Sequence, residues 1–79
     1  MEQVFTYNPI AMRRQVMESH RANAEMNQKA VDFYSAKRGK KNAEAAERFR
    51  ARVRMFNSLY LEVRDELADM IDAEAMKND

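Results

Sequence analysis

A chain of 79 residues with one glycine, one proline, one histidine and no cysteine holds a single small domain, and it excludes a disulfide scaffold and a zinc site. Charged residues make up 34% of it, and no run approaches the ~18 consecutive apolar residues of a membrane span, so the expected class is all-α with long solvent-facing helices. The net charge of +1 is unevenly spread: four basic and four acidic residues over 1–36, eight and two over 37–54, two and seven over 55–79, or 0, +6 and −5. A core this small is marginal by itself, and with neither disulfide nor metal to reinforce it, self-association is the expected remedy.

Residues 1–8 form an N-terminal arm in which Val4, Phe5 and Tyr7 suit a short strand or an extended segment. The stretch lacks the basic start and apolar run of a signal peptide, so a cytoplasmic protein is expected. A strand followed by two helices is the order of the ribbon-helix-helix repressors. Both helices here are far longer than in that fold, however, and Gln3, Phe5 and Tyr7 lack basic readers, so no family is assigned.

Asn8-Pro9 is a helix start: the asparagine side chain can accept from a free amide, and proline fixes φ where no donor is needed. Helix 1 is expected from about Pro9 to Lys37, roughly 43 Å long at ~1.5 Å per residue. One apolar line holds Ile10, Met17, Ala24, Val31 and Tyr34, with Met12, Val16, Met26, Ala30 and Phe33 alongside. Arg13, His20, Asn23 and Asn27 interrupt it and read as a buried polar set that fixes register. In an antiparallel hairpin, Arg13 would meet Glu66 or Asp69, and His20 would bond Tyr60.

Residues 38–42 form a basic turn, in which Gly39 takes a left-handed conformation and Asn42 caps the second helix. Helix 2 is expected from about Ala43 to Met76, with Glu44 and Glu47 near its positive end and residues 77–79 fraying. Phe49, Val53, Phe56, Tyr60, Val63, Leu67 and Met70 recur at alternating spacings of four and three, the repeat of a helix seam. With Leu59 and Ile71 the apolar arc widens to about 140°, more than one partner helix covers. The expected architecture is therefore an antiparallel hairpin pairing into a homodimeric four-helix bundle.

Three features bear on function. Lys37, Arg38, Lys40, Lys41, Arg48, Arg50, Arg52 and Arg54 are a candidate site for an anionic partner, although charges at such positions more commonly pair with Glu44 and Glu47 or cover apolar surface with their stems. No exposed aromatic and no Asn or Gln stands among the arginines, which argues against base reading and leaves phosphate contact. Seven methionines suit adaptable packing, and Met55, Leu61 and Met76 fall off the main stripe.

The acidic run Glu62, Asp65, Glu66, Asp69, Asp72 and Glu74 has no Glu-x-x-His and reads as a solvated face, with mimicry of phosphate toward a basic partner as the alternative role. Nucleophile–base pairs are missing, so no enzyme, cofactor or small-molecule substrate is expected. The reading is a non-enzymatic protein-interaction module, an adaptor or inhibitor of the size that suits a phage or mobile-element regulator. The alternative is a nucleic-acid-associated protein using the basic turn.

Overall fold

The computed structural model describes residues 8–77, which form two helices, α1 (Pro9–Ser35) and α2 (Lys40–Lys77), packed antiparallel as a hairpin. The strand or arm expected over residues 1–7 lies outside the described residues, as do 78 and 79. Asn8 opens α1 from an extended conformation, and its side chain accepts a bond of 3.2 Å from the Ala11 amide. Its carbonyl takes the first helical bond, 3.1 Å from the Met12 amide, while Pro9 occupies the position where an amide would have no acceptor.

The turn departs from expectation at both ends. Helix α1 stops at Ser35: the Ala36 amide still reaches Asp32 O at 3.2 Å, and the Lys37 amide folds back to Tyr34 O at 3.2 Å, a tightening that closes the last turn. Gly39, at φ 112°, turns the chain, and its carbonyl accepts the first bond of α2 from the Ala43 amide at 3.1 Å. Gly39 therefore holds the capping position assigned to Asn42. Asn42 lies inside the first turn instead and donates from Nδ2 to Arg38 O at 2.8 Å. Lys40 and Lys41 consequently occupy the first turn of α2, where the helix dipole favours the opposite sign, and Glu44 and Glu47 fall beyond it.

An alanine Cβ at Gly39 would meet only Asn42 Nδ2 at 3.9 Å, so the obstacle is the backbone conformation and not space. Gly39→Ala is expected to cost about 1–2 kcal/mol, read as a lower denaturation midpoint in urea at unchanged helix content.

The core is thin. Ala24 and Val31 from α1 and Ala45, Ala46, Val63 and Leu67 from α2 are buried, and because three of these six are alanines the core hides little apolar surface. Tyr34 stacks on Phe49 near the turn, with ring centroids 5.6 Å apart, and His20 lies 6.3 Å from Phe56 midway. Of the expected seam, Val63 and Leu67 are buried against α1, Phe49, Val53, Phe56, Leu59, Tyr60 and Met70 are half-buried, and Ile71 is exposed.

The molecule is one helix pair thick, with extents of 59 × 35 × 13 Å. Its radius of gyration is 18.4 Å, against about 12 Å for a compact chain of this length. It exposes 6735 Å², where a compact monomer of 9.3 kDa exposes roughly 5,000 Å². Among the described residues, no helix is long and apolar enough to cross a membrane.

Candidate interaction surface

The basic set divides into engaged and free members. Arg50 donates from Nη1 to Glu47 Oε2 and from Nη2 to Ser35 Oγ, both at 3.2 Å, and Arg54 reaches the other Glu47 oxygen at 3.6 Å. Arg52 lies over the Phe49 ring at 5.0 Å, and Lys37 over the Phe33 ring at 4.1 Å. Arg38, Lys40, Lys41 and Arg48 make no ion pair among the described residues. The free charge is thus concentrated at the turn and on one flank of α2.

The polar set of α1 stands elsewhere than expected, because a two-helix layer has no interior wide enough to enclose it. No polar residue is buried among those described. Arg13 does meet Glu66, Nη1 to Oε2 at 3.2 Å, but with side chains 48% and 54% exposed. A pair so wet contributes little to stability. Half-buried Asn27 donates from Nδ2 to Asn23 O at 2.7 Å, within its own helix. The bond from His20 to Tyr60 is not made: Nδ1 of His20 has no partner, and the ring lies against Phe56. Among the described residues, no three His, Asp or Glu side chains are placed to hold one ion.

Exposed apolar side chains gather on one side of the hairpin. At 100° per residue, the buried Ala24 and Val31 define the direction from α1 to α2, and Met12, Val16, Met26 and Phe33 are all rotated from it in the same sense. A shallow groove lined by Pro9, Met12, Arg13, Val16 and Met70 ties that side of α1 to the Met70 side of α2, where Met55 and Leu59 also lie. Met12, Val16, Met26, Phe33 and Met55 are 39–68% exposed on this face. Leu61 and Ile71 belong to the opposite face, together with the Ser35–Arg50 contact, and Met76 sits near the end of α2.

On the apolar face α1 presents Met12, Val16, Ser19, Asn23, Met26, Ala30 and Phe33, spaced alternately by four and three. The flank of α2 presents Arg48, Arg52, Met55, Leu59, Glu62 and Glu66 with the same spacing. Sequence reasoning placed Met12, Val16, Met26, Ala30 and Phe33 of the first stripe alongside the core and Asn23 in the polar set; of the second it put Leu59 in the apolar arc, Met55 off it, Arg48 and Arg52 in the basic set, and Glu62 and Glu66 on a solvated face. The signal that finds them is the seven-residue repeat itself, continuing one position away from the seam used inside the hairpin.

The described residues form an all-α helical hairpin with large apolar side chains exposed on one face. Comparison with protein-family models, with curated proteins and with solved structures finds no match.

Proposed function

We propose that this chain is a non-enzymatic interaction module, an adaptor or inhibitor, that works as a homodimer and binds another macromolecule through its helical surface. The supporting observation is the single-layer hairpin, which among the described residues buries six and leaves five large apolar side chains exposed on one face. Large apolar side chains on one face favour a partner there, because hiding apolar surface is worth about 25 cal/mol per Å². Sedimentation across the micromolar range tests the reading: a dimer is expected, and a folded monomer at every concentration overturns it.

A second reading, a phosphate-binding end, is favoured by the turn. Lys40 and Lys41 stand in the first turn of α2 without a carboxylate partner, beside Lys37 and Arg38, so their charge adds to the positive end of the helix dipole. On this reading duplex or single strands bind at low salt, affinity falls steeply as salt rises, and Lys40→Glu/Lys41→Glu abolishes binding. No binding by the wild type at low salt removes it.

A further inference from the structure

The dimer proposed above leaves its arrangement open, and the charge order along α2 decides it. We propose that a second copy of this chain seats on the apolar face in antiparallel orientation, α1 on α1 and α2 on α2, about a two-fold axis level with Arg21 and Asn57. This rests on the homodimer reading and extends it to a specific interface.

The stripe Arg48, Arg52, Met55, Leu59, Glu62, Glu66 is antisymmetric in charge: two cations, two apolar residues, two anions. Laid against its own reverse, it sets Arg48 of one copy opposite Glu66 of the other, Arg52 opposite Glu62, and Met55 opposite Leu59. The α1 stripe, reversed, sets Met12 opposite Ala30, Val16 opposite Met26, and Ser19 opposite Asn23, and it brings Phe33 to Pro9 at the start of α1. Large side chains meet smaller ones, and the two polar residues meet each other, so hydroxyl and amide can share a hydrogen bond.

These pairings require one axis to serve both helices, and the hairpin supplies it. The Arg13–Glu66 ion pair at 3.2 Å and the His20–Phe56 contact at 6.3 Å bring Arg21 nearly level with Asn57. Residues 13 and 66 add to 79 and residues 20 and 56 to 76, while the two proposed axis positions add to 78.

Whole-molecule charge points the same way. With the turns at one end, the +6 segments of both copies would lie side by side within about 10 Å, where salt screens them incompletely; reversed, each lies beside the −5 segment of the other copy.

In this arrangement the two basic turns stand about 50 Å apart at ~1.5 Å per residue, at opposite ends of the bundle. Because the chain has no cysteine, Arg38→Cys carries a single spin label, and the distance between labels in the dimer is expected near that value. A separation under about 25 Å overturns the arrangement, because parallel packing would set the two turns side by side across helices spaced about 10 Å apart.

Charge exchange is the second measurement. Arg48→Glu/Arg52→Glu and Glu62→Arg/Glu66→Arg are each expected to weaken the dimer about tenfold or more at low salt, and the four substitutions together to restore it. Positions 48 and 62 are separated by roughly 21 Å along one helix, so restoration reports pairing between copies. A fourfold variant as weak as either double variant overturns the proposal. A wild type that never dimerises brings down the underlying reading too, whereas a dimer with closely spaced labels brings down only this arrangement.

Discussion

Leu67→Ala is expected to lower the thermal midpoint of the hairpin by about 8 °C or more, and in dilute samples to leave much of the chain unfolded. Leu67 is 6% exposed, and with Val31 and Val63 it is one of three buried side chains larger than alanine among the described residues. Truncating a buried leucine costs about 2–5 kcal/mol through lost burial and the cavity left behind. A chain of this length has on the order of 4–12 kcal/mol of stability in total, so one side chain carries a large share of it. Each kcal/mol moves the midpoint of a domain this small by about 4–8 °C. Phe56→Ala is the instructive comparison: the ring is half-buried beside His20, and its removal should cost less, although it deletes more atoms. Helix content followed by circular dichroism during heating checks both, and a Phe56→Ala midpoint below that of Leu67→Ala would show that the aromatic, not the leucine, bears the core.

Met12→Glu/Met26→Glu is expected to weaken self-association at least a hundredfold. Both methionines lie on the apolar face, 49% and 68% exposed, where carboxylates cost the isolated hairpin little. Dimerisation would strip water from them, and a carboxylate taken out of water without a cation beside it costs several kcal/mol. Leu61→Glu supplies the control, since Leu61 is exposed to a similar degree, 45%, on the opposite face. It should leave the concentration dependence of sedimentation unchanged. Equal losses from both variants would mean that the contact face has been misassigned.

The local features of this chain were legible because neighbours in sequence decide them. Asn8-Pro9 starts α1 through bonds to Ala11 and Met12, within four residues. For Arg50 and Arg54 the sequence leaves two readings open, an anionic-partner site and pairing with Glu44 or Glu47, and in the fold both reach Glu47. The turn was misread for an equally local reason: Asn42 and Gly39 are both able to cap, and the positive φ available to Gly39 moves the start of α2 to Lys40. What escaped was the environment of the polar set. Arg13, His20, Asn23 and Asn27 share a register with core residues, but whether a register position is dry depends on what lies across from it, and a single facing helix leaves its edges wet.

Period and capping alone determined that this chain makes two long helices joined at a glycine, since those signals are written within one or two turns of each helix. The repeat of seven from Phe49 to Met70 marks one helix face whatever covers it, and of that face Val63 and Leu67 are buried. Only the tertiary structure decided that the apolar line of α1 beside its core positions remains outside. Met12, Met26 and Phe33 differ from the buried positions by a rotation about the helix axis, and such a rotation acquires meaning only once the direction to the neighbouring helix is known.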